Sequence, residues 1–157
     1  MMHRRAVLQG SAAAVLLTPV VAHAAPEGLS APIEIVDDVH GVPHIRAASI
    51  PDAFYGQGYV VARDRLFQID LGHRRELGRL AEAFGVDFAK HDAAARLFHY
   101  RGDLNAELRR IPADVLACAR AYIAGINARI DEVLADPALL PPEYAILGVT
   151  PLKWGIE

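Results

Sequence analysis

Gly56 and Gly58 lie inside a run whose side chains Tyr55, Tyr59, Ala62, Leu66 and Ile69 keep the three-and-four spacing of one helix face. Each glycine weakens a helix by about 1 kcal/mol relative to alanine. Two within one turn therefore need a compensating reason, and close approach of another backbone supplies one. The start of this helix is also written in the chain. Ser49 suits the N-cap, Asp52 completes a capping box three residues on, and Pro51 sits in the first turn.

The flanking segments set the fold class. Ile33-Glu34-Ile35-Val36-Asp37 alternates apolar and polar residues, the period of a half-buried strand. Asp38-Val39-His40-Gly41 reads as a turn in which Gly41 takes a positive φ, and Val42 to Ala47 alternates again. Pro43 cannot donate to a ladder, so the second strand begins there or lies at an edge. His73, Leu77, Leu80 and Phe84 continue the helical period to a stop at Gly85, and Phe88 to Tyr100 is a third helical candidate. Pro112 opens the clearest helix, with Val115, Ala119, Tyr122, Ile126, Ile130 and Val133 on one stripe, and Asp136-Pro137 closes it. Pro141-Pro142 starts a short connection, and Pro151 heads one more helix. The expected class is α+β: a β-hairpin followed by four or five helices.

The first 24 residues read as an export signal. Met1 to Arg5 is basic, Ala6 to Val21 is apolar and small, and Ala22-His23-Ala24 has the small-x-small pattern of a cleavage site. The run is interrupted by Thr18 and Pro19 and falls short of a span of ~20 residues. Arg4-Arg5 also fits a twin-arginine signal, although His3, Val7 and Gln9 depart from that pattern, so Sec and twin-arginine routes both stay open. Residues 25–31 form a flexible lead-in, and residues 32–157 form the mature domain. A periplasmic or secreted location follows. The formal net charge of -3 is carried without clustered lysines, only Lys90 and Lys153 being present, which argues against a nucleic-acid partner. The single cysteine, Cys118, excludes an internal disulfide.

Residue chemistry alone assigns no catalytic, cofactor or metal residue. His40 and His44 are four apart, but across a strand-turn-strand that spacing does not aim both rings at one ion. Arg63-Asp64-Arg65 reads as an ion pair before it reads as a catalytic carboxylate. His73-Arg74-Arg75-Glu76 has an anion-site flavour, yet Glu76 and Glu82 stand three or four residues from arginines, the pattern of a solvated helix face. Cys118, among alanines in mid-helix, reads as a small buried hydrophobe. Of the three serines, Ser11 falls in the signal, Ser30 in the lead-in, and Ser49 is the cap. No nucleophile elbow, P-loop or dinucleotide fingerprint occurs.

Five blocks, in order, resemble the penicillin acylase family. They are IEIVDDVHGVPHI (residues 33–45), AFYGQGYVVARDRLFQID (53–70), GRLAEAFGVDF (78–88), YIAGINARID (122–131) and LLPPEYAILGVTPLKW (139–154). The wording is closest to the penicillin G branch, with Arg63 in place of the more usual glutamine. The resemblance implies an exported N-terminal nucleophile hydrolase with a four-layer αββα fold. Its precursor cuts itself into α and β subunits, and the new N-terminal Ser of the β subunit, Cys in some relatives, attacks an N-acyl amide. That resemblance places the nucleophile, the oxyanion Asn and most calcium ligands in the β subunit. It places the acyl pocket and the α-subunit calcium Glu shortly after Pro151-Leu152-Lys153-Trp154. No catalytic, metal or cofactor residue is therefore carried over, and calcium belongs to the full-length protein.

The expected function is the N-terminal part of an α subunit, truncated at its C-terminus, from an amidohydrolase acting on a penicillin side chain or an N-acyl homoserine lactone. Its partners would be the β subunit and a small acyl-amide substrate, with no nucleic acid and no membrane span. The alternatives are a non-catalytic or decayed helical module and, more remotely, an unrelated periplasmic binding protein.

Overall fold

Ser49 starts the principal helix as its sequence requires: its backbone is extended and its hydroxyl accepts the Asp52 amide at 3.1 Å. The computed structural model describes residues 29–156, and the expected export signal of residues 1–24 and part of the expected lead-in lie outside them. The order is β1 (Glu34–Asp37), β2 (Pro43–Arg46), α1 (Ile50–Leu77), α2 (Ala81–Phe84), α3 (Ala89–Leu97), α4 (Leu104–Leu108), α5 (Ala113–Ala135) and α6 (Pro142–Leu147). Short 3-10 turns occupy Val86–Phe88 and Pro137–Leu139. The class is α+β, as the alternating and helical periods indicated.

The hairpin is antiparallel, pairing Glu34 with Arg46 and Asp37 with Pro43, so Pro43 does begin its strand. Gly41 takes φ 74°, and the Asp38 carboxylate accepts the amides of His40 and Val42 to fix the turn. The hairpin packs on the early part of α1, where a side chain at Gly56 would collide with Ile45.

The remaining core is the pairing of α1 with α5. A Cβ at Gly58 would overlap the Tyr122 carbonyl, and one at Gly125 would overlap the Tyr55 carbonyl, so the two backbones touch at this crossing. Gly58 thus has the backbone partner that its placement demands, whereas Gly56 is met by the side chains of Ile45 and Ile33. Beyond the crossing, Ala62 and Leu66 of α1 meet Ile126, Ile130 and Val133 of α5, with Tyr144 of α6 closing the cluster. The Tyr144 ring stands edge-on to Phe67 at 5.5 Å. Helix α1 bends at Arg65, whose φ of -138° and ψ of 28° are not helical.

Four expectations are corrected. The helical period does not run on to Gly85: α1 stops at Gly78, which takes φ 63° and donates to the Arg74 and Arg75 carbonyls. Arg96 and the Asp92 backbone of α3 press on this turn, and the Asp92 carboxylate caps the Leu80 and Ala81 amides. Gly85 ends only the short α2. Pro141-Pro142 opens a helix, α6, and not merely a connection. Pro151 heads no helix; residues 149–156 run without regular secondary structure. Val115 falls off the buried stripe of α5, at 53% exposure, because the helix starts exposed, from Ala113 to Val115, and its buried residues begin only at Ala121. The helix α4 was not foreseen, although Asp103 caps it by accepting the Ala106 amide.

Candidate functional site

The stripe Ala62-Leu66 on α1 continues at the same four-residue step into Asp70 and Arg74, both almost wholly buried. Arg74 Nε donates to Asp70 Oδ2 at 2.9 Å, Nη1 to Glu82 at 3.3 Å, and Nη2 to the Thr150 carbonyl at 2.5 Å. The other oxygen of Asp70 accepts the Leu152 amide at 2.9 Å. A buried charge pair persists only where its remaining donors and acceptors are met, and here the backbone of residues 150–152 meets them. Arg79 binds Glu82 at 2.7 and 2.9 Å and holds that carboxyl below its usual range. Burial pushes the Tyr144 hydroxyl up, and it donates to the Leu66 carbonyl. An open cleft of about 280 Å³ lies over the network, lined by Arg74, Arg79, Glu82, Gly148, Thr150 and Leu152.

A second fixing point comes from α5. The Asn127 side chain accepts the Trp154 amide and donates to the Trp154 carbonyl, both at 2.9 Å. Lys153 donates to the Asn127 carbonyl at 3.0 Å and pairs with Asp131. The Trp154 ring stacks on His73 at 4.4 Å, and burial there pushes the His73 pKa down.

The residues singled out from sequence fall in separate places. His44 lies 3.4 Å from Asp38 on the exposed hairpin. Arg63 pairs with Asp64 and reaches Asp37 of β1, each at 2.8 Å, so this cluster is an ion pair tying the hairpin to α1. The segment His73-Arg74-Arg75-Glu76 is only half a solvated face. Arg75 and Glu76 are exposed, whereas Arg74 is 3% exposed because Asp70 and the Thr150 carbonyl replace its water. Cys118 is partly exposed, not buried, since it precedes Ala121, where the buried residues of α5 begin. Ser49 caps α1, and Ser30 is bound to the Asp52 carboxylate through both its amide and its hydroxyl. Ser11 lies outside the described residues. Asp70 and Asn127 were missed. A stripe of apolar residues running into two opposite charges at the same step was the readable sign of the first.

Among the described residues no Ser, Thr or Cys side chain is hydrogen-bonded to a histidine, and no three His, Cys, Asp or Glu side chains form a metal site. No described helix is long and apolar enough to cross a membrane. The geometry of this region orients chain segments.

The architecture defines the class. A thermostable penicillin G acylase from Alcaligenes faecalis superposes with a TM-score of 0.71 at 32% identity, over 78% of this chain and 65% of that one. The hairpin and helices are thus a portion of the N-terminal nucleophile hydrolase fold found in that enzyme. The penicillin amidase family model matches residues 32–157, and the chain belongs to that family. It is 39% identical over 129 residues to a penicillin G acylase of Escherichia coli, covering 82% of this chain and 15% of that protein. It is 40% identical over 127 residues to a penicillin acylase 2 proenzyme of a Pseudomonas species, covering 81% and 16%. An acyl-homoserine lactone acylase of Pseudomonas fluorescens is 30% identical over 131 residues, covering 83% and 16%. The chain therefore spans about a sixth of the length of these relatives.

Proposed function

We propose that this chain is the N-terminal part of the α subunit of an exported amidohydrolase that releases a carboxylic acid and an amine from an N-acyl amide. The observation that carries the reading is the unbroken family match over residues 32–157. The relatives are named for a penicillin and for an acyl-homoserine lactone, and the higher identity to the penicillin acylases favours a penicillin side chain as the substrate class. In this reading the nucleophile is the N-terminal Ser of a β subunit made by self-cleavage of the same precursor. Its hydroxyl attacks the amide carbonyl while its own α-amino group takes the proton. The amine leaves protonated, and water then releases the acid from the acyl-enzyme. Backbone N–H groups and an Asn side chain hold the oxyanion. Residues 1–24 direct export to the periplasm or beyond. Calcium belongs to the assembled enzyme, and the described residues do not themselves form a cage for it.

The role of the present residues is to build the frame: α1 and α5 make a rigid pair, and the Asp70, Arg74 and Asn127 side chains fix the path of the chain as it leaves them. The test is to express the complete product of the gene with its leader. The expected result is self-cleavage, a new N-terminal Ser by mass spectrometry, and release of phenylacetate from a phenylacetyl amide. Hydrolysis of acyl-homoserine lactones alone would move the substrate class. A stable, uncleaved product that hydrolyses neither would overturn the reading in favour of a non-catalytic helical module.

A further inference from the structure

Residues 149–156 belong to no helix or sheet, yet their backbone is tied down at alternate residues. The Thr150 carbonyl is held by Arg74, the Leu152 amide by Asp70, and the amide and carbonyl of Trp154 by Asn127. The first two holders stand on α1 and the third on α5. Pro151 is buried between them, and Val149 and Trp154 lie against the core. Among the described residues the segment's only backbone–backbone bond is at the near end, from the Val149 amide to the Tyr144 carbonyl.

We infer that Asp70–Arg74 and Asn127 form a two-point latch, and that residues 150–154 open and close as one strap over a helix pair that stays closed. Three features carry this. The strap makes no ladder hydrogen bonds, so its opening breaks only side-chain contacts and leaves the α1 and α5 backbones intact. Local opening of that kind proceeds in contiguous units with free energies below that of global unfolding. Pro151 joins Thr150 and Leu152 stiffly at the first point, and only Lys153 separates Leu152 from the second: once Trp154 leaves Asn127, the Leu152 amide loses the geometry that aims it at Asp70. Finally, the α1–α5 contact rests on the glycine crossing and on the Ala62, Leu66, Ile126 and Ile130 packing, none of which involves the strap's hydrogen bonds. The inference rests on this geometry alone and stands apart from the amidase reading.

The chain has a single tryptophan, Trp154, which makes the strap directly observable. The experiment is amide hydrogen exchange on the full chain and its Asn127→Leu variant, together with acrylamide quenching of Trp154. Removing the two Asn127 bonds should speed exchange of the Trp154 amide by about ten- to hundredfold. The Leu152 amide, held by a different side chain on a different helix, should accelerate by a similar factor, while Ala62 and Ile126 keep their protection. Quenching of Trp154 should rise with no loss of helical circular dichroism. Leu152 exchanging at the wild-type rate would overturn the latch, since the two points would then be independent. Equal acceleration at Ala62 and Ile126 would overturn it as well, since the strap would then be part of the global unit. An Asn127→Asp variant, which keeps the acceptor for the Trp154 amide but loses the donor to its carbonyl, should fall between the two.

Discussion

The α1–α5 crossing makes a sharp demand at Gly125. An alanine methyl there would overlap the Tyr55 carbonyl oxygen and sit 2.8 Å from the Tyr59 nitrogen and 3.0 Å from the Tyr55 carbonyl carbon. Ordinary contacts of this kind are about 3.5 Å or longer, and all three neighbours are main-chain atoms of a helix, so none can rotate aside. Helix α5 must withdraw by roughly 1 Å or more, which forfeits about half of the dispersion energy of the contacts it loosens. Overpacking costs about 1–3 kcal/mol, and a clash with fixed main-chain atoms belongs at the upper end, about 3 kcal/mol; the better helix propensity of alanine returns about 1 kcal/mol. The Gly125→Ala variant should therefore be destabilised by about 2 kcal/mol. For a chain of this size that lowers the melting temperature by about 4–8 °C. Gly72→Ala is the matched control. That position is also helical, but a Cβ there meets nothing within 4 Å, so the same change should stabilise by up to about 1 kcal/mol. Both are read by thermal and urea unfolding followed by circular dichroism. Opposite signs support the crossing; a Gly125→Ala protein at or above the wild-type melting temperature would refute it.

Other outcomes follow from the buried charges and titrating groups. Asp70→Asn leaves the buried Arg74 with only the half-exposed Glu82 as counter-charge and should cost about 3 kcal/mol in urea unfolding, the low end for breaking a buried pair; a loss under about 1 kcal/mol would mean that water already screens the pair. Ser30 donates to the Asp52 carboxylate from its hydroxyl and its amide, which lowers that pKa below 3.8. The stability from Asp52 is then present above 3.8 and is lost as pH falls through the lowered value. Burial holds the His73 pKa below 6.5, so between that lowered value and 6.5 the unfolded chain binds the extra proton. Stability should be level above 6.5 and decline as pH drops beneath it, and His73→Gln should remove that upper step. A rise in stability between pH 6.5 and 5 would contradict the sign.

Local signals were read well from the chain and distant ones were not. Gly41, Pro43 and Ser49 act through neighbours within a few residues, and each does what its position announced. The close approach at Gly56 and Gly58 was legible because glycine in a helix has few other reasons. Which backbone approached was not legible, since Gly56 meets a strand side chain and Gly58 meets α5. The end of α1 was misplaced because Gly78 and Gly85 are equally good stops by local chemistry, and the docking of α3 decides between them. Arg74 was read as solvated because its partners at Thr150 and Leu152 lie 76 and, through Asp70, 82 residues away. Pro151 suited a helix start, but the side chains of Asp70 and Asn127 claim the neighbouring backbone groups before a helix can use them. Most of the candidate site is dark for the same reason: beyond the local Asp70–Arg74 and Arg79–Glu82 pairs it is built from long-range contacts to main-chain atoms, which leave no motif.

The pairing of α1 with α5 also sets a timetable. Tyr59 and its hydrogen-bond partner Glu132 are 73 residues apart in the chain. At a synthesis rate of about 5–20 residues per second, roughly 4–15 s separate their appearance. Throughout that interval the Gly58 face of α1 lacks the α5 backbone it packs on, and a helix held only by its hairpin is at best marginal in water. The helix that dominates the finished molecule is thus among the last to be secured. Until α5 has been made, the nascent chain can close little more than its hairpin and the small turns after Gly78, and it stays open enough to be captured or moved.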